Sequence, residues 1–127
     1  MTDREALILA FKDLRKAGFL TSFGKDCCNS CCGYRLLSGK RGQKMKAEGK
    51  IRCVYFSRQT EFFAIRAFGD KAWIDPKRGI YLNWQDDVTK NGSAALIRSI
   101  IEKQGLTTEW DGNLRTSILV YGQKDSQ

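Results

Sequence analysis

The feature that most constrains this chain is a run of cysteines. Four of its 5 cysteines fall within residues 27–32, which read Cys-Cys-Asn-Ser-Cys-Cys, and the chain contains no histidine. Overlapping C-x-x-C pairs require a tight turn, because that spacing brings two sulfurs onto one metal ion or into one disulfide. A structural zinc site normally takes ligands from two such turns, and Cys53 is the one cysteine outside the run. The run therefore predicts a tight turn without fixing its chemistry.

Three interpretations of the run stay open. The first is a zinc site, whose candidate ligands are Cys27, Cys28, Cys31 and Cys32. Consecutive side chains diverge, so we expect two of these thiols as ligands, with Cys53, Asp26 or water completing the site. The second is a C-x-x-C redox centre at the start of a helix. The third, which we favour, is small thiols packed in a turn beneath a sheet, with no cofactor.

Length and composition predict one domain that folds without covalent staples. The chain has 127 residues, 42% of them hydrophobic, and a single proline. Its first residues lack the layout of a signal peptide, so we expect a cytoplasmic protein with reduced cysteines. We therefore do not expect a disulfide framework.

The net charge of +8 is concentrated in one segment. Most of the excess lies between Arg35 and Arg58, where Glu48 is the only acid. Glycines at 39, 42 and 49 predict a basic loop at about 39–50 rather than a stable helix. Such a segment attracts nucleic acid, a nucleoprotein or an acidic protein surface, although it can also serve solubility alone. The candidate partner-binding residues are Lys40, Arg41, Lys44, Lys46, Lys50 and Arg52.

Hydrophobic periodicity predicts an α+β fold in which helices pack on a mostly antiparallel sheet. Helices are predicted over residues 3–17, within 57–72, and from 93 to 104, and residues 33–38 are left as helix or strand. Strands are predicted over 51–56 and 80–84, and residues 107–110 and 115–121 form a C-terminal hairpin around Asp111-Gly112-Asn113. Residues 19–23 are predicted to link the first helix to the cysteine run.

Catalysis is not favoured by the residues present. Without histidine, no Ser-His or Cys-His pair can form, and no side chain has an ordinary pKa near neutrality. Carboxylates at Asp86 with Asp87 and at Glu109 with Asp111 are more typical of a polar loop and a turn. Glu61 could belong to a polar cluster at a pocket, together with residues 58–60. We therefore expect binding rather than catalysis.

The motifs together resemble a bacterial family of domains of unknown function, whose members carry a Cys-Cys-x-x-Cys-Gly element and a closing Gly-Leu-x-x-Glu-Trp-Asp-Gly hairpin. The matching residues are Cys27, Cys28, Cys31, Gly33, residues 58–61, residues 81–84, residues 105–106 and residues 109–112. Cys32 stands where the family pattern has glycine, and the basic segment is long for the connection it occupies. The resemblance covers nearly the whole chain and implies a fold but no activity.

We expect a small non-enzymatic protein that binds an anionic partner through its basic segment. A phage-type inhibitor of a host complex is one setting that suits such a size and charge. A metal-binding or thiol-redox protein centred on the cysteines is the alternative. Salt separates the two, because binding to phosphates weakens steeply as salt rises.

Overall fold

The computed structural model describes residues 1–60, 73–76, 78–90 and 92–122. The predicted α+β fold, with helices on a mostly antiparallel sheet, is confirmed. In chain order the elements are α1 (Asp3–Lys16), β1 (Leu20–Phe23), α2 (Asn29–Ser38), α3 (Lys40–Ala47), β2 (Arg52–Phe56), β3 (Ile80–Asp86), α4 (Ala94–Glu102), β4 (Thr107–Glu109) and β5 (Ile118–Tyr121). None of the helices in these described residues has the length and apolarity of a membrane span.

The five strands form one sheet in the order β1-β2-β3-β5-β4. β1 lies parallel to β2, with Leu20 opposite Cys53, and the other neighbours are antiparallel. The prediction that residues 19–23 are only a link was therefore wrong. Four residues of mixed character give too short an alternation to identify a strand, and a parallel partner 33 positions away leaves no local turn signal.

Helix α1 starts as its sequence predicts. The Thr2 side chain accepts a hydrogen bond from the Glu5 backbone N–H at 3.2 Å, which caps the helix. Leu7, Phe11 and Leu14 lie on its buried face. Asp3, in the first turn, is fully buried, and its carboxylate accepts the Ile74 N–H at 3.0 Å.

The core continues beneath the cysteine run. Phe11, Phe23 and Phe56 pack edge to face, with ring centroids 4.6–5.5 Å apart. On α4, Ile97 and Ile101 are buried, whereas Leu96 is 41% exposed. The end of β2 that carries Phe56 therefore supports the segment after β1, whose Gly24 N–H donates to the Phe56 carbonyl at 3.0 Å.

The predicted basic loop is helical over most of its length, which corrects that prediction. Lys40–Ala47 form α3, which follows α2 after the single residue Gly39. A Cβ atom added to Gly42 would collide with the Leu36 carbonyl oxygen and lie 2.6 Å from the Leu37 Cα. Gly42 is therefore present because α3 crosses the end of α2 at close range, and it does not break the helix.

The helix predicted within residues 57–72 falls mostly outside the described residues, as does Glu61. At its start, the Ser57 hydroxyl accepts the Thr60 N–H at 3.2 Å, so Ser57 provides the cap. Arg58–Thr60 then adopt helical geometry.

Candidate functional site

Three of the run's four thiols converge at the start of α2. The Cys31 Sγ lies 3.5 Å from the Cys27 Sγ and 3.4 Å from the Cys28 Sγ. All three sulfurs lie within 4.8 Å of one another, close enough to hold a metal ion. Cys27 and Cys31 are exposed and Cys28 is partly exposed, so the cluster opens to solvent.

The backbone explains why the adjacent Cys27 and Cys28 both reach the cluster, against the expectation that they diverge. Cys28 is the N-cap of α2, with φ −145° and ψ 169°, and is therefore extended. The chain then turns into the helix, and its first turn returns Cys31 to the sulfurs of the two preceding cysteines. The change from extended to helical backbone thus gathers three thiols from five consecutive residues.

The helix terminus makes these thiols chemically unequal. The backbone N–H of Cys31 is the main cause that lowers the pKa of the Cys28 thiol, although no regular cap hydrogen bond forms. Contacts from Cys28 and then Cys27 raise the pKa of Cys31 to about 12, because neighbouring sulfurs compete for negative charge. Cys28 is therefore the more readily ionised of these two thiols.

A polar clamp fixes the turn from behind. The Arg35 Nε donates to both carboxylate oxygens of Asp26, at 3.0 and 2.8 Å, and its Nη2 donates to the Ser22 hydroxyl at 2.7 Å. The hydrogen bond from Arg35 is the largest cause that lowers the pKa of Asp26. The Arg58 N–H also donates to the Asp26 carbonyl at 2.7 Å. Asp26 was considered as a metal ligand, and its carboxylate is instead engaged with Arg35.

The clamp was missed at the level of sequence, although a signal was available. An acid immediately before the cysteine run and a base in the second turn of the following helix are placed to pair across it. The sequence did not show whether residues 33–38 form a helix or a strand. Asp26 and Arg35 are placed to pair only if those residues are helical.

Cys32, the fourth candidate ligand, does not lie with the other three cysteines. It is fully buried, and its Sγ lies 4.0 Å from the Phe56 carbonyl oxygen. Cys53 is also buried, on β2, and burial raises its pKa to about 12. These two cysteines are core residues, as the packing interpretation proposed for the whole run.

The geometry of the cluster suits a thiophilic ion. At a Zn–S distance of about 2.3 Å, tetrahedral coordination places thiolate sulfurs about 3.8 Å apart. The observed contacts of 3.4 and 3.5 Å need only a few tenths of an ångström of opening. The three thiols would supply three ligands to such an ion.

The candidate partner-binding cations divide into two groups. Lys40, Arg41, Lys44 and Lys46 on α3, and Lys50 after it, have exposed side chains, and none forms an ion pair within the described parts of the chain. Arg52 differs, because its guanidinium stacks 4.3 Å from the centre of the Phe19 ring and donates to the Ala17 carbonyl at 3.2 Å. Its Nε is also 3.3 Å from Asp86 Oδ1. Arg52 therefore belongs to the fold's own contacts.

The carboxylate candidates that the structure describes shape the backbone. Asp86 Oδ1 accepts the N–H groups of Val88 and Thr89, at 2.8 and 3.2 Å. Burial opposes its ionisation, but the nearby Ser93 hydroxyl and the hydrogen bonds from Val88 and Thr89 prevail and lower its pKa. Asp111 accepts from the Asn113 N–H at 2.8 Å, and the Thr116 hydroxyl is the largest cause that lowers its pKa. Both side chains act as turn formers.

An open cavity of about 700 Å³ beside the C-terminal hairpin was not anticipated from sequence. Tyr81, Arg98, Glu109, Trp110 and Arg115 are among its lining residues. Arg98 is already bonded to Thr108 Oγ1 at 2.9 Å, and Glu109 accepts from the Tyr121 hydroxyl at 3.3 Å. Its polar groups therefore serve the hairpin, and they do not converge on a common point as the thiols do.

Comparison with known proteins places the chain in a family and gives no activity. No curated protein and no solved structure matches it. The model of one family, described as a domain of unknown function (DUF6891), matches residues 1–124. The resemblance to a family of domains of unknown function is thus confirmed, and the chain belongs to the DUF6891 family.

Proposed function

We propose that this protein binds a thiophilic metal ion through Cys27, Cys28 and Cys31. The observation that carries the proposal is the convergence of three accessible sulfurs within 4.8 Å on a turn clamped from behind. Thiolates favour ions such as Zn²⁺ and Cu⁺, and the chain has no imidazole to compete for the site. Zinc is the ion to test first.

The clamp is what distinguishes this site from three surface cysteines. Asp26, Arg35 and Ser22 form a hydrogen-bonded unit behind the thiols, with distances of 2.7–3.0 Å from Arg35. Outer contacts of this kind orient metal ligands and contribute to affinity.

The number of cysteine ligands defines the kind of metal site that we propose. A closed structural zinc site has four protein ligands, whereas a site with three leaves one position for water or an incoming ligand. Because the cluster is exposed, an external thiolate can reach that position. We therefore propose an exchangeable site rather than an ion that holds the core together.

Native mass spectrometry tests this proposal. Protein purified reduced, without chelator or affinity metal, should carry one zinc ion, and acidification should release it because protonated thiols are poor ligands. The triple variant in which Cys27, Cys28 and Cys31 are replaced with Ser should show only the mass of the metal-free protein. Cys32→Ala is the matched control and should retain zinc, since its thiol faces the core. A wild-type protein that stays apo after zinc addition, or a triple variant that keeps zinc, would contradict the proposal.

A second candidate function is electrostatic binding of an anionic polymer by α3 and Lys50. It is favoured by five exposed cations without ion-pair partners within the described residues and by Tyr34, which is 78% exposed on the adjoining α2. Cations that contact phosphates, beside an aromatic ring that stacks on bases, are typical of single-strand binding surfaces. Tyr55 and Phe56, the other aromatics near the basic segment, are half-buried and buried.

Fluorescence anisotropy with single-stranded RNA of mixed sequence tests this second function. Affinity should fall as salt rises, and reversal of Lys40, Arg41, Lys44 and Lys46 to Glu should abolish binding. The matched control reverses Lys12, Lys16, Lys90 and Lys103, which are exposed elsewhere, and makes the same change in net charge. Equal losses in the two variants would reduce the effect to net charge and exclude a specific role for α3.

A further inference from the structure

We infer that Cys27, Cys28 and Cys31 also form a dithiol–disulfide centre, in which Cys31 pairs with either of the other two and low-molecular-weight disulfides are the oxidising substrates. The inference uses the same three thiols as the proposed metal site, but it does not require a metal. It adds electron transfer to a site proposed so far only for binding.

The shared position of Cys31 is the first observation. Its sulfur contacts the Cys28 sulfur at 3.4 Å and the Cys27 sulfur at 3.5 Å. Disulfide formation shortens such a separation to about 2.0 Å, which side-chain rotation on an exposed turn can supply. Two disulfides are therefore equally accessible, and both contain Cys31.

Accessibility and isolation are the second observation. Cys27 and Cys31 are exposed and Cys28 partly so, which allows a small disulfide to reach them. Cys32 and Cys53 are buried, and the Cys32 Sγ is directed at the Phe56 carbonyl. Exchange is thus confined to three sulfurs by the fold.

The chemistry balances with oxidised glutathione as the oxidant. The Cys28 thiolate attacks one glutathione sulfur, the glutathione S–S bond breaks, and one glutathione thiolate leaves. The Cys31 sulfur then attacks the Cys28 sulfur of the mixed disulfide and displaces the second glutathione thiolate. Two electrons and the two thiol protons of the protein end on two glutathione molecules. Cys27 can then attack Cys31, forming the Cys27–Cys31 bond and releasing the Cys28 thiolate.

Oxidation and metal binding exclude one another at this site. A disulfide between Cys31 and a neighbour removes two of the three thiolates that the proposed ion needs. Oxidation by glutathione disulfide should therefore release the metal, and bound metal should protect the thiols.

The test is disulfide mapping in the metal-free full-length chain. After oxidation by glutathione disulfide and alkylation of the remaining thiols, Cys27→Ser should contain a Cys28–Cys31 disulfide, and Cys28→Ser should contain a Cys27–Cys31 disulfide. Cys31→Ser should form an internal disulfide at least about tenfold more slowly and accumulate the glutathione adduct instead. Cys32→Ala is the control and should oxidise like the wild type.

Three results would overturn the inference. One is a wild-type protein that forms no internal disulfide. Another is a Cys31→Ser variant that forms an internal disulfide as fast as the wild type. The third is a bond that involves Cys32 or Cys53 in the folded wild-type chain. Because the assay uses apo protein, failure of zinc to bind leaves its outcome intact, and zinc binding without disulfide formation refutes this inference alone.

Discussion

The cysteine turn and helix α3 are neighbours that present reactive groups in opposite ways. In the turn, three sulfurs point towards one another, with contacts of 3.4 and 3.5 Å, and a salt bridge holds the backbone behind them. On α3 the cationic side chains extend separately into solvent, without ion pairs in the described part of the chain. One region concentrates its chemistry at a point and the other spreads it over a surface.

The difference predicts how each region responds to change. A convergent site depends on every ligand and on the backbone that aims it, so a single substitution should remove most of its affinity. A diffuse charged surface loses affinity in steps, because each cation contributes separately and salt screens all of them. Four experiments, in decreasing order of expected effect, test this difference between the two regions.

Cys31→Ser should have the largest effect. It removes the sulfur that contacts both of the others, so we expect zinc affinity to fall by more than about 100-fold, beyond what the loss of an outer-shell partner costs. RNA binding should be unchanged. Competition against a chromogenic zinc chelator gives the first quantity and anisotropy the second. Parallel loss of both activities would mean that the two regions form one site.

Gly42→Ala should affect mainly the other region. The added methyl group would overlap the Leu36 carbonyl, so we expect a cost of about 1–3 kcal/mol in the free energy of unfolding and displacement of α3. RNA affinity should fall while zinc affinity is retained. Gly39→Ala is the matched control, because a Cβ atom there has its nearest neighbour at 3.9 Å. Urea unfolding of the two variants provides the comparison, and equal stabilities would remove the explanation offered for Gly42.

Arg35→Met tests whether the clamp matters to the thiols. It breaks the hydrogen bonds to Asp26 and Ser22 without touching a sulfur, and we expect zinc affinity to fall by about 10-fold. Arg58→Met is the control, since Arg58 contacts Asp26 through its backbone N–H, which the substitution leaves in place. The chelator competition described for Cys31→Ser measures both variants. An unchanged affinity in Arg35→Met would show that the turn needs no support from behind.

The smallest effect is on the titration of Asp26. Its pKa is lowered from the ordinary value of 3.8, chiefly by the hydrogen bond from Arg35. A lowered pKa in the fold means that the pair stabilises the turn above pH 3.8 and that this stabilisation is lost as pH falls through the folded value. Carbon-13 NMR of the carboxylate should give a pKa below 3.8 in the wild type and an upward shift in Arg35→Met. An unchanged Asp26 pKa in Arg35→Met would show that Arg35 is not the main cause of the lowered value.

Local signals were enough to predict the regular parts of the fold. Thr2, Glu5 and the apolar stripe of α1 specify that helix, and the turn around Asp111 specifies the hairpin. These features act over a few residues, so sequence order reveals them directly. The strands predicted near residues 51–56 and 80–84 are β2 and β3 in the structure.

The features that sequence could not predict depend on contacts between distant residues or on a change of backbone direction. Glycine at position 42 looks like a helix breaker until its approach to α2 is known. Cys28 looks unable to share a site with Cys27 until its extended N-cap geometry is known. The Cys32 thiol lies apart from the other three, because it contacts the carbonyl of Phe56, 24 residues away on β2.

The parallel pairing of β1 with β2 also sets an order of events during synthesis. Residues 27–31 leave the ribosome before β2 and Arg58, whose backbone N–H holds Asp26 and whose strand forms the floor of the turn. Pairing of these strands must wait for the whole connection between them, and such long-range contacts form slowly. The cysteine turn can therefore gain these contacts only after residue 58 has been synthesised.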